Sequence, residues 1–192
     1  LHGDLSNETW KKSYPQVLRK QGYFVGFAGK FGFKVKRPDG SKGSVETVQS
    51  TFDWWSGWMG QGSYAMEKNK DAMAYIEKYG DKKEHTTHAL GLMGQDFIVK
   101  AKDSGRPFCL SVSYKAPHTP YWLDPRYEEV YKDKKFPKPE TFGKGTLLPE
   151  QAKSGRPYVK GKSWNKDYNG SMYKYHTMMY AMDKSIGMIL EE

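Results

Sequence analysis

Cys109 is the only cysteine in this 192-residue chain, so no disulfide framework can hold it together from within. It lies in the apolar run 107–113, where a thiol is ordinarily a small buried hydrophobe. No run is long and apolar enough to cross a bilayer, and the start lacks the basic-then-apolar pattern of a secretory leader. Also missing are G-x-S-x-G, a Walker loop, H-E-x-x-H and paired-cysteine zinc spacing. Their absence argues against nucleophile-elbow hydrolases, P-loop nucleotide enzymes and the common zinc sites. The chain begins at Leu1 and stops at Glu191-Glu192 within a helical pattern that has no stop signal. It therefore reads as an internal segment, 1–192, of something longer.

What the chain has in excess is positive charge. Lys and Arg number 31 against 22 Asp and Glu, a net charge of +9. Mean hydropathy is −0.84, yet 37% hydrophobic and 15% aromatic residues suffice for a core. Such a balance suits a nucleic acid, an acidic polysaccharide, or a sulfated or phosphorylated substrate, and also a soluble protein that is merely basic.

Patterning predicts a short helix over 10–21, then an aromatic and β-branched strand over 23–28. Residues 34–51 read as a polar loop, and 52–62, with three Trp among three Gly, as a compact packed loop. Helices are expected over 64–79 and 86–102, the latter on the spacing of Leu90, Met93, Phe97, Ile98 and Ala101. A strand over 108–114 follows. The Pro-, Gly-, Lys- and Tyr-rich stretch 115–166 reads as a long functional loop. Tyr175, Met179, Met182, Ile186 and Ile189 then mark a final amphipathic helix. Helix–strand alternation predicts an α/β fold with a mostly parallel sheet flanked by helices, whose ligands gather at strand carboxyl ends.

Two segments follow predicted strands directly. In Gly29-Lys30-Phe31-Gly32, the Lys30 amine stands either over an anion in the crevice or simply in solvent. In Ala116-Pro117-His118-Thr119-Pro120, two prolines stiffen the backbone around His118. That suits a positioned proton donor or anion ligand, and equally a turn-capping imidazole. His85 and His88 have a metal-compatible spacing but no Cys or acidic partner in sequence. His176, Tyr180 and Asp183 share a helix face and read as a structural hydrogen-bond group. Basic and aromatic residues interleave over 121–168 without a nucleic-acid module signature, so no nucleic acid is expected. Asn7-Glu8-Thr9 and Asn169-Gly170-Ser171 match the glycosylation triplet.

The segment Tyr14-Pro15-Gln16-Val17-Leu18-Arg19-Lys20-Gln21-Gly22-Tyr23-Phe24-Val25-Gly26-Phe27-Ala28-Gly29-Lys30 resembles the second signature of formylglycine-dependent sulfatases. Phe52-Asp53 with Gly57 and Gly60 is similar to that family's "F-D-x-x-x-G" loop. Residues 107–120 resemble its "P-F-x-L-x-x-S-x-x-x-P-H-x-P" strand and loop, and 180–190 its "D-x-x-V-G-x-I-L" helix. The four segments stand in the family's order along nearly the whole chain.

This resemblance implies an alkaline phosphatase-like fold and hydrolysis of sulfate esters of carbohydrates or aryl compounds. Phosphodiester or phosphonate hydrolysis on the same scaffold is the alternative, and a non-catalytic polyanion-binding domain is the rival from another class. The family position makes Lys30 and His118 the catalytic residues, with Lys115 and Gln61 as substrate contacts. A calcium ion (Ca2+) and a formylglycine are implied as cofactors, a sulfated small molecule or carbohydrate as partner, no membrane, and a periplasmic or extracellular location. Two departures stand out. The family's Trp-His after the lysine is Phe31-Gly32 here, and the C/S-x-P-S/A-R nucleophile motif occurs nowhere in the 192 residues. The calcium ligands are likewise placed by the family before and after this segment. The segment alone is therefore expected to be inactive and, with sheet edges open, marginally stable.

Overall fold

A computed structural model of the chain describes residues 4–69, 78, 85–140 and 167–192. They belong to two compact units, Leu1–His118 with Ala181–Glu192, and Thr119–Tyr180.

In the first unit, the helix expected over 10–21 is two helices. Ser6 caps α1 (Asn7–Lys11), its side chain accepting from Thr9 N–H. A second helix, α2 (Tyr14–Lys20), begins with Pro15 in its first turn. The proline explains the break. It has no N–H for the Lys11 carbonyl and its ring would collide with that group, but the first turn of a new helix tolerates it.

The expected strand is longer than its apolar run and takes in the lysine, forming β1 (Phe24–Phe31). Residues 34–51 contain a short helix, α3 (Val45–Gln49), rather than loop alone. The larger correction concerns the tryptophan-rich stretch, which is a strand, β2 (Trp54–Met59). Its side chains alternate across the sheet. Trp55 stacks on Phe27 on one face (centroids 5.1 Å apart), whereas Trp54 meets Phe97 edge-on at 5.5 Å on the other. Aromatics packed on both faces of a pleat favour a strand even among glycines.

Of the helix expected over 64–79, Met66–Lys68 forms a 3-10 turn, and most of the remainder lies outside the described residues. Next come α4 (Thr86–Ser104) and β3 (Phe108–Ser113), both close to expectation. All three described strands are parallel, in the order β2-β1-β3, with Gly26 opposite both Trp54 and Leu110. The fold is thus α/β with a parallel sheet flanked by helices, as patterning predicted.

The core lies on both faces of the sheet. Trp10, Val25, Phe27, Phe31, Val48, Phe52 and Trp55 form one cluster, and Ala28, Trp58, Met66, Ala89, Leu90 and Met93 the other. Each large side chain buried this way contributes about 1.5–3 kcal/mol.

Asp53 ties the amino end of the sheet together. It accepts from Val25 N–H at 2.9 Å and pairs with Arg19 (3.2 Å) and Arg106 (3.4 Å). Burial pushes its carboxyl up, but the Val25 hydrogen bond and the Arg19 charge outweigh this and hold it below the ordinary value. The Phe-Asp motif is thus structural and stands at the strand end opposite Lys30.

The final helix, α5 (Tyr168–Leu190), contributes residues from Ala181 onward to the first unit. Ser185 Oγ donates to the Thr87 carbonyl (2.7 Å) and lies 2.9 Å from Tyr114 Oη. At Gly94 of α4 a Cβ would stand 2.4 Å from Ile189, so the two helices pack at close range. Among the described residues, β2 and β3 are sheet edges, and Phe108 and Leu190 are exposed. No helix among these residues is long and apolar enough to cross a membrane.

In the second unit, buried Asp124 caps a 3-10 turn (Pro125–Tyr127) and pairs with Arg126 at 3.1 Å. His176 stacks on Phe136 (4.6 Å, 8°), and Tyr131 packs edge-on to Tyr180. This aromatic packing surrounds His176 and Tyr180, two of the three residues on the helix face where a hydrogen-bond pair was expected. Residues 141–166 of the expected long loop lie outside the described residues. Of the two glycosylation triplets, the first falls in α1. Asn169 of the second opens α5 and accepts from Phe136 N–H through Oδ1.

Candidate functional site

Parallel strands bring their carboxyl ends to one edge of the sheet, and each described strand delivers polar groups there. Lys30 is the penultimate residue of β1, opposite Trp58 of β2. Gly29 before it has φ +95°, and a Cβ there would stand 2.2 Å from the Ser113 carbonyl of β3. Only glycine meets both demands, so the Gly-Lys pair is built into the strand contact itself.

From the loop after β2, Gln61 accepts through Oε1 from Lys30 Nζ at 3.2 Å. Gly62 follows with φ +61°, its Cα so close to the Trp58 indole that a Cβ would lie 2.1 Å from Nε1. Trp58 Nε1 is itself buried with no hydrogen-bond partner, so it contributes packing here and no donor.

After β3 comes Lys115, only 8% exposed. Its ammonium sits 5.2 Å from the centre of the Tyr64 ring, a cation–π contact. Burial, and secondarily the Lys30 charge nearby, hold the Lys115 amine below the ordinary lysine range. Neither Lys30 nor Lys115 has a carboxylate partner among the described residues. Two ammonium groups without counter-charge, plus an amide, form a local demand for an anion.

His118 is exposed, and its N–H donates to the Lys115 carbonyl in a tight turn (2.9 Å). The structure therefore joins Lys30 to Gln61 through their side chains, sets Lys115 near enough to Lys30 for the two charges to oppose each other, and ties His118 to Lys115 through its backbone.

Sequence reasoning missed the support beneath these groups. Asn69 Oδ1 accepts from Ser63 N–H (2.6 Å), and Asn69 Nδ2 donates to the Ser63 carbonyl (3.1 Å). Thr86 Oγ1 lies within hydrogen-bond distance of the Ser63 and Tyr64 carbonyls (2.8 and 2.9 Å). His85, weighed above as a metal ligand, instead caps α4 by accepting from Thr87 N–H, and it stacks on Tyr64. The available signal was the chain Gln61-Gly62-Ser63-Tyr64 directly after an aromatic strand.

The residues present do not build the implied cofactors. Among those described, no three or more His, Cys, Asp or Glu gather to hold a metal ion. Cys109 lies within β3, its thiol pushed up by burial, and has neither the Pro nor the Arg of a formylglycine precursor. At Gly32, where the resemblance has histidine, a side chain would meet open space. What this chain brings to the site is positive charge and hydrogen-bond donors.

A model of the Sulfatase family matches residues 6–192. The human N-acetylglucosamine-6-sulfatase is 27% identical over 157 residues, covering 74% of this chain and 26% of its own length. The Capra hircus N-acetylglucosamine-6-sulfatase is 29% identical over 158 residues with the same coverage. The chain thus spans about a quarter of the length of the curated relatives it matches.

Among solved structures, yidJ from Bacteroides fragilis superposes with a TM-score of 0.57 at 22% identity, over 91% of this chain and 38% of its own. Ps i-CgsB in complex with k-i-k-neocarrahexaose gives 0.53 at 18% identity, over 91% and 34%. At such identities these two establish likeness of fold.

Proposed function

Because the chain belongs to the sulfatase family, whose members generally use a formylglycine and a divalent metal, we propose that its full-length protein hydrolyses sulfate esters of carbohydrates. The observation that carries this reading is the meeting of Lys30, Gln61 and Lys115 at the carboxyl ends of adjacent parallel strands. In this role Lys30 and Lys115 neutralise the sulfate oxygens, and Gln61 orients the Lys30 amine. His118 either holds a sulfate oxygen or gives a proton to the departing alcohol oxygen. A formylglycine with a divalent metal would supply the nucleophile, and neither is held by the residues described here.

The matched N-acetylglucosamine-6-sulfatases make a 6-sulfated amino sugar the first substrate to try. The test is a panel of esters given to the full-length protein: N-acetylglucosamine-6-sulfate, an aryl sulfate, an aryl phosphodiester and a phosphonate monoester. Preferred sulfate release from the sugar is expected. Faster turnover of the phosphodiester or phosphonate would move the protein to the other reaction class of this scaffold.

A further inference from the structure

Tyr64 is a buried aromatic residue, 3% exposed, on the loop after β2. Its Oη lies 2.6 Å from the His118 carbonyl and 3.2 Å from the Lys115 carbonyl, so one hydroxyl proton is shared between both ends of that turn. Its ring carries the Lys115 ammonium at 5.2 Å and stacks on the His85 imidazole at 5.4 Å. Its own backbone is held by Thr86, whose N–H donates to the Tyr64 carbonyl at 2.8 Å. A core tyrosine needs one partner for its hydroxyl. Tyr64 spends its hydroxyl and its ring on the two residues after β3 that the functional reading singles out.

We propose that Tyr64 is a positioning residue of the sulfate site: its hydroxyl fixes the backbone that carries His118, and its ring face holds the Lys115 ammonium. The inference rests on the sulfatase reading of Lys115 and His118. It adds the residue that keeps the loop after β3 in place against the Lys30–Gln61 pair. A shift of the His118 backbone by a fraction of an ångström misaligns the imidazole with the ester, which lowers turnover more than binding.

The test uses the full-length protein with variants Y64F, Y64L and H118A and the double variant Y64F/H118A. Y64F keeps the ring under Lys115 and loses only the hydroxyl. It is expected to lower kcat on the order of tenfold, with KM and the inhibition constant of inorganic sulfate changed less than about twofold. Y64L also removes the ring, so sulfate inhibition should weaken several-fold as well. In the H118A background, Y64F is expected to leave the remaining kcat unchanged, because the hydroxyl acts through His118.

The inference is overturned if Y64F keeps full kcat, or lowers it equally in both backgrounds. A fall in kcat that follows a fall in folded fraction also overturns it, because that is what a merely structural tyrosine would give. If H118A itself keeps full activity, the underlying sulfatase assignment of His118 fails instead, and the two failures are told apart by that single variant.

Discussion

Lys30 and Lys115 bring two ammonium groups to one sheet edge, an arrangement that like charge and burial both oppose. On the proposed reading, a sulfate between them would relieve the opposition by stabilising the charged form of Lys115. Binding therefore takes up a proton wherever the pH lies between the free and bound pKa of that amine. Sulfate affinity is then full below the lowered pKa of Lys115 and falls as pH rises through it, earlier than for an ordinary lysine. Replacing Lys30 by Met removes the second cause of that lowering. The alkaline fall-off should then move to higher pH, although affinity near neutrality is weaker. Inhibition by inorganic sulfate measured across pH in both proteins checks this, and an unmoved fall-off would contradict it. Lys30 and His118 stood out in the sequence because each closely follows a predicted strand beside Gly or Pro, whereas Gln61 and Lys115 were suggested only once the family resemblance was on the page. Tyr64, Asn69 and Thr86 were not legible, because their work lies in contacts across 6 to 54 positions of sequence that no local pattern encodes.

Among the elements, β1 is the one whose sequence carries both fold and site. Its apolar run announced a strand, but the extension through Gly29, Lys30 and Phe31 is fixed by pairing to β2, where Phe31 stands opposite Met59. Gly29→Ala tests that coupling. A Cβ would press on the Ser113 carbonyl at a φ that L-residues disfavour. A loss of about 3 kcal/mol in unfolding free energy is expected, read from denaturant titration of the full-length protein. A loss under about 0.5 kcal/mol, the usual bound for innocuous surface changes, would show that the contact is not as close as described. The strand β2 escaped sequence reading because glycine and tryptophan together look like a packed loop. Only the partner strand shows that Trp55 and Trp58 stand on opposite faces of one sheet. The break between α1 and α2 was legible in Pro15, had its clash with Lys11 been weighed above the apolar spacing.

For the molecule as a whole, the +9 charge set the expectation of an anionic partner, and the site narrows it to two lysines and an amide at one sheet edge. The order of the four motif segments was the sequence's strongest statement, and the family match over residues 6–192 agrees with it. Sequence alone did not separate the motifs by task. The Phe-Asp motif clasps the amino end of the sheet through Val25, Arg19 and Arg106, whereas the lysine motif faces the opposite end. The central claim is that this opposite end handles a sulfate ester, and sulfate release by the full-length protein, wild type against K30A, tests it most directly. The account predicts at least about a 100-fold fall in kcat/KM with the thermal midpoint unchanged. Activity within a few-fold of wild type would contradict it and return Lys30 to the role of a solvent-facing lysine at a strand end.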